Sequence, residues 1–135
     1  MLDTPDEHQQ IRDAVRDLCR QFPDEYFRKI DAAQAYPEAF VAALLDAGWL
    51  AAMIPEEYGG SGLGLTAASV IMEEINRSGA NAAVVHGQMY NMGTLLRHGS
   101  RIQKEQYLPQ IAAGRLRLQS MAVTEPTAGT DTTRI

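Results

Sequence analysis

One stretch of this chain alternates with the period of a β-strand, and it comes near the end of the sequence. From Arg115, large apolar and polar residues alternate over five positions, and the strand pattern continues to Thr124. A lone strand leaves its backbone N–H and C=O groups without partners and is not stable by itself in water. We therefore expect helices to supply the core, and the strand to pair across a dimer or with parts of a sheet beyond this sequence.

The preceding residues have helical spacing of apolar side chains and recognisable helix boundaries. Thr4 and Pro5 are typical of a helix start, and Pro23 ends the apolar stripe that follows, which comprises Ile11, Val15, Leu18, Cys19 and Phe22. Further helices are predicted over residues 24–35, 37–48, 66–76, 81–98 and 100–109. We therefore predict an all-α bundle of about six helices in residues 1–114, followed by one strand of an incomplete β domain in residues 115–135.

Composition excludes several classes of function. The 135 residues are 45% hydrophobic and 21% charged, as in an ordinary globular domain, and the net charge of -5 argues against a nucleic-acid-binding surface. No signal peptide and no membrane-spanning run is predicted. We expect a protein of the reducing cytoplasm, in which the single cysteine, Cys19, is a small core residue.

The glycine-rich stretch and the adjacent glutamates each allow a functional and a purely structural interpretation. Four glycines in residues 59–64 could form a phosphate-cradling or lid loop, but the lysine and spacing of a P-loop are absent, so we favour a simple connection. Glu73 and Glu74 are adjacent on a predicted helix and point about 100° apart, which excludes a catalytic carboxylate dyad. A solvated face, or a salt bridge from one of them, is the interpretation we favour. The three histidines lack the spacing of a metal site.

The strand leads into a turn suited to binding a ligand. Pro126 fixes one φ angle, and Gly129 would let a backbone N–H approach a ligand where a side chain would collide. Thr124, Thr127 and Thr130 add hydroxyl groups that donate or accept hydrogen bonds.

Four motifs in this order resemble the acyl-CoA dehydrogenase family. They are I-P-E-E-Y-G-G at residues 54–60, E-E-I at 73–75, Q-K-E-Q-Y-L-P at 103–109 and T-E-P-T-A-G-T-D at 124–131, the last being similar to the flavin-contacting signature. The resemblance covers essentially the whole chain but only the first third of a family member, so it implies a fragment. Thr127 stands where the family usually has glycine. Because a β-branched residue disfavours positive φ, we expect either negative φ there or a slightly shifted turn.

The resemblance implies the residues of a cofactor and substrate site. FAD would be contacted by Met121, Val123, Thr124, Gly129 and Thr130. The acyl-CoA would be contacted by Thr130 and by Met89 and Met92, which lie where family members line the acyl pocket, although such methionines are also ordinary core residues. The resemblance places the catalytic base beyond Ile135, so no residue here is expected to be catalytic, Glu125 included.

The implied function is α,β-desaturation of an acyl-CoA thioester by an FAD-dependent enzyme of which this chain is the N-terminal portion, inactive by itself. Implied partners are an electron-transfer flavoprotein as electron acceptor and further copies of the chain in a dimer or homotetramer, with no nucleic acid and no membrane. Two alternatives stay open at this point: an acyl-CoA oxidase or flavin monooxygenase of the same fold, and a non-catalytic helical interaction module.

Overall fold

The computed structural model describes residues 5–135 and contains six α-helices in this range. In chain order they are α1 (Pro5–Cys19), α2 (Asp24–Ala32), α3 (Glu38–Asp46), α4 (Leu65–Arg77), α5 (Ala83–His98) and α6 (Arg101–Ala112). The predicted all-α bundle is therefore confirmed. The predicted N-cap of α1, Thr4, lies outside the described residues. No helix in the described range is both long and apolar enough to cross a membrane.

The core is built around the short apolar run that follows α3. Residues 49–51 form a 3-10 helix that contacts α3, α5 and α6. Leu50, Ala52 and Ile54 are at most 1% exposed, while Trp49 and Met53 are partly buried, so most of the run lies inside the core. Gly48, in the left-handed region at φ 80°, ends α3 and directs the chain into this run, as its position in the sequence predicts.

The glycine-rich loop is a compact structural connection. The N–H groups of Gly62 and Leu63 donate to the carbonyls of Ile54 and Ala52, both at 2.7 Å, and Gly60 donates to the carbonyl of Pro55 at 3.2 Å. A Cβ atom on Gly60 would lie 2.1 Å from the carbonyl oxygen of Ile54, so only glycine fits there. These N–H groups are consumed inside the chain, which argues against a phosphate-cradling loop.

Several helix boundaries differ from the predicted ones. The first helix ends at Cys19 instead of Phe22, and α4 begins one residue before Thr66, which therefore lies inside the helix instead of capping it. The capping box at Ser100 and Gln103 is present as predicted. However, α6 continues through Pro109 to Ala112, because the burial of Leu108 and Ile111 against the core outweighs the hydrogen bond that proline cannot make.

The predicted strand is not formed in the part of the chain that the structure describes. Residues 116–124 belong to no helix or ladder, and the nearest approach to a strand is an isolated antiparallel bridge between Glu125 and Ala128. The reason is the one that the sequence raises: residues 5–135 contain no neighbouring strand to accept the backbone hydrogen bonds. The alternating pattern is still visible in side-chain burial. Leu116 and Leu118 pack against the core, while Arg115, Arg117 and Gln119 are exposed.

A buried ion cluster joins α1 to α4. The Glu74 side chain is 1% exposed, and its carboxylate accepts hydrogen bonds from Arg12 Nη1 at 2.9 Å and Arg16 Nη2 at 3.0 Å. The neighbouring Glu73 is 58% exposed and pairs with Arg12 at 2.6 Å. Of the two interpretations of the acidic pair, the salt bridge is therefore the correct one. The more deeply buried glutamate, Glu74, pairs with two arginines.

We expect Glu74→Ala to lower the free energy of unfolding by about 2–4 kcal/mol, since breaking a buried ion pair costs about 3–5 kcal/mol and the partial exposure of both arginines reduces that loss. Chemical denaturation followed by circular dichroism measures the change. Glu73→Ala, the matched control on the same helix, should cost less than about 1 kcal/mol because it removes an exposed pair. Equal losses in the two variants would contradict this assignment.

Stability should also fall in acid through Glu74. Burial raises the pKa of this carboxyl, but the hydrogen bonds from Arg12 and Arg16 outweigh burial, and the pKa lies below its ordinary value of 4.5. A group whose pKa is lower in the folded state stabilises the protein above its unfolded pKa and loses that effect as the pH falls through the folded pKa. Urea midpoints measured from pH 7 to well below pH 4.5 should therefore decline less steeply for Glu74→Gln than for the wild type, with most of the difference arising below pH 4.5; parallel curves would contradict the prediction.

Candidate functional site

The segment that carries the predicted flavin contacts is fastened to α5 at Leu118. The N–H of Leu118 donates to Gln88 Oε1 at 2.8 Å, and its carbonyl accepts from Asn91 Nδ2 at 3.3 Å. Both backbone groups of one residue thus find partners on side chains three positions apart on one helix. Gln88 and Asn91 give Leu118 what a neighbouring strand would otherwise provide.

The next residue is held at close range to the same helix. Tyr90 Oη donates to the carbonyl of Gln119 at 3.3 Å, and Gln119 Nε2 donates to the carbonyl of Val84 at the same distance. Gly87 is buried beneath this contact, and a Cβ atom there would lie 3.0 Å from the Gln119 carbonyl oxygen. The small residue lets the extended backbone lie directly on the helix.

Beyond Gln119 the chain leaves the helix surface. Residues 120–127 are exposed, and residues 120–124 make no hydrogen bond with any part of the chain from residue 5 onward. Five consecutive residues therefore present backbone N–H and C=O groups, together with the hydroxyl of Thr124, to the outside. Exposed, unpaired backbone groups suit both a partner strand and a flat polar ligand.

The segment ends in a tight turn. Glu125 and Ala128 exchange both backbone hydrogen bonds, at 2.9 and 3.2 Å, around Pro126 and Thr127. Thr127 is not in the positive-φ region, so its β-branched side chain fits the turn without strain, as expected. A Cβ atom on Gly129 would meet nothing within 4 Å, which leaves open space at that position.

The predicted site residues fall into two groups. Met121 and Val123 are 41% and 42% exposed, and they lie with Thr124, Gly129 and Thr130 on the exposed stretch at and beside the turn. Met89 and Met92 instead are buried in the core, at 4% and 0% exposure. The five residues predicted to contact flavin therefore lie together on one exposed segment. The two methionines predicted to line the acyl pocket are packed inside this domain.

The contacts made by Gln88 were not predicted from the sequence. Gln88 is 1% exposed and lies on the buried stripe of α5 with Val85 and Met92, at spacings of three and four residues. A polar residue on an apolar stripe must find a hydrogen-bond partner when it is buried. That signal was present in the sequence, but the partner, a backbone amide 30 residues later, was not.

Other chemistry finds little support in the described residues. No group of three or more His, Cys, Asp or Glu side chains there could hold a metal ion. Cys19 is buried as predicted, and burial raises the pKa of its thiol, which keeps the thiol protonated and unreactive.

The sequence profile of the acyl-CoA dehydrogenase N-terminal domain matches residues 5–115. A probable acyl-CoA dehydrogenase of Mycobacterium tuberculosis is 36% identical over 129 residues, which cover 94% of this chain and 33% of that protein. The solved structure of a glutaryl-coenzyme A dehydrogenase with glutaryl-CoA superposes with a TM-score of 0.79 at 27% identity, covering 100% of this chain and 35% of that one.

A second solved structure, an acyl-CoA dehydrogenase from Bacillus anthracis in complex with FAD, superposes with a TM-score of 0.75 at 26% identity, covering 98% of this chain and 23% of that one. This chain spans about a third of the length of the curated relatives it matches. On the profile match over most of its length, the chain belongs to the acyl-CoA dehydrogenase family.

Proposed function

We propose that this chain is the N-terminal part of an FAD-dependent acyl-CoA dehydrogenase and forms one wall of the site shared by flavin and acyl chain. The observation that carries the proposal is the exposed segment 120–124, whose backbone groups find no partner within the described residues. The solved relatives in complex with FAD and with glutaryl-CoA support a site for both molecules.

The residues present fit a flavin. The edge of an isoalloxazine ring carries hydrogen-bond donors and acceptors, and Thr124 with the backbone of Met121 and Val123 offers both types on an exposed stretch. The open space at Gly129 leaves room for close approach, with the Thr130 hydroxyl beside it for phosphate or pantetheine. Each such hydrogen bond contributes about 0.5–1.5 kcal/mol, so several are needed to hold the cofactor.

The reaction requires removal of a proton from the α carbon of the thioester and of a hydride from its β carbon. The bound flavin supplies the hydride acceptor. The residues of this chain supply orientation: the exposed segment holds the ring edge, and the α5 side of the domain, which contains Met89 and Met92, supports the acyl wall. No residue of the chain is assigned as the base, and the resemblance places that carboxylate beyond Ile135.

The proposed partners follow from the same proposal. Electrons leave through an electron-transfer flavoprotein, and the complete enzyme is a homo-oligomer, a dimer or tetramer, of the cytoplasm. The exposed Met121 and Val123 support association with further protein, since apolar side chains at the end of an unpaired extended segment are stabilised by burial.

The complete protein that carries these residues should purify yellow, and an acyl-CoA should bleach its flavin absorbance without oxygen and reduce an artificial electron-accepting dye. The 135-residue chain alone should give no turnover, because the resemblance places the catalytic base beyond Ile135. Rapid reoxidation by oxygen would indicate an oxidase or monooxygenase instead. A colourless complete protein would contradict the proposal.

Thr124→Val in the complete protein should weaken FAD binding about 2- to 13-fold, which corresponds to the loss of one hydrogen bond. Thr94→Val is the matched control, because the Thr94 hydroxyl is exposed and bonds only the carbonyl of Tyr90 in its own helix, at 2.8 Å. Flavin fluorescence titrations of both apoproteins measure the dissociation constants. An unchanged constant for Thr124→Val would remove this residue from the site.

A further inference from the structure

Gln88 holds the N–H of Leu118 from a buried position, and Leu118 lies six residues before Thr124. In an extended chain alternate residues share a face, so fixing one residue determines the face on which each following side chain lies. A slip by one residue would move every side chain to the opposite face. Burial alternates over residues 115–119, so the contact at Leu118 sets the register of that stretch and, with it, the point at which the exposed segment leaves α5.

The register is fixed by more than one contact. Asn91 binds the carbonyl of Leu118, which prevents the segment from sliding while it keeps the bond to Gln88. At Gly87 the helix surface touches the backbone of Gln119 at a distance that admits no side chain without a shift. Hydrogen bonds set the position along the helix, and Gly87 sets the distance from it.

We infer that Gln88 is a positioning residue for the cofactor site: with Asn91 and Gly87 it fixes the register of residues 115–119, and so sets the point on α5 from which the exposed segment carries Thr124 to the flavin. Gln88 touches neither cofactor nor substrate in this inference and acts through the segment. The effect on flavin binding rests on the proposed function. The register rests only on the contacts between α5 and Leu118.

Gln88→Leu tests the inference in the complete flavin-loaded protein. The substitution places an apolar side chain of similar size in the buried stripe and removes the acceptor of the Leu118 N–H. We expect the amide of Leu118 to exchange its hydrogen roughly tenfold faster, while amides in α1 and α4 keep their rates. Hydrogen exchange read by mass spectrometry measures this. Gln9→Leu, at an exposed glutamine of α1, is the matched control and should leave both regions unchanged.

The flavin gives a readout that general destabilisation would not move. We expect Gln88→Leu to raise the FAD dissociation constant about tenfold and to shift the visible absorbance and circular dichroism of the flavin that remains bound. An unchanged rate at Leu118 overturns the inference. So does faster exchange at Leu118 combined with wild-type affinity and an unshifted flavin spectrum.

A second variant covers the case in which Gln88→Leu fails to fold. Gly87→Ala leaves Gln88 in place and pushes the segment away from α5, whereas Gly93→Ala adds the same methyl group on the same helix, 3.5 Å from the flexible end of Met53. Faster exchange at Leu118 in Gly87→Ala alone supports the inference, and equal behaviour of the two variants overturns it. If the wild-type complete protein holds no flavin, the proposed function fails, and the exchange rates still decide whether α5 sets the register.

Discussion

The arrangement of the whole domain depends on the enclosure of one short apolar run. Residues 49–54 lie where α3, α5 and α6 meet, and the glycine-rich loop closes over them with hydrogen bonds to the carbonyls of Ala52 and Ile54. Burial of such side chains contributes about 25 cal/mol for each Å² of apolar surface removed from water. Because α5 packs on this run, the run also determines where α5 presents Gln88 and Asn91. The position of the exposed segment thus depends on the core through its contacts with α5.

Two buried polar side chains lie on the helices around this core, and each has a different consequence. Glu74 is charged, and its burial is unfavourable unless Arg12 and Arg16 bind the carboxylate. Protonation of this carboxylate in acid weakens the link between α1 and α4. Gln88 is neutral and binds a backbone amide, so its contribution does not depend on protonation. The neutral group is the one that lies next to the candidate site.

The sequence predicts those features that depend on neighbouring residues. Helical spacing in α1, the capping box at Ser100 and the left-handed Gly48 each follow from short-range chemistry, and each is confirmed. Features that depend on distant contacts could not be predicted. The continuation of α6 through Pro109 reflects burial of Ile111, and the absence of a strand in residues 116–124 reflects a missing partner. For the site, the exposed turn was predicted, but the anchoring of Leu118 was not, because a sequence does not show which amide a buried glutamine will meet.

One helix is fastened differently from the others. No residue of α2 is buried, and its attachment runs through Tyr26 and Phe27, whose rings meet Phe22 and Phe40 edge to face at centroid separations of 5.2 Å. Such ring pairs contribute only about 0.5–1.5 kcal/mol each beyond the area they bury. The free energy needed to detach α2 is therefore smaller than that needed to unfold the domain. This corner can open and reclose without breaking the contacts between α5 and Leu118.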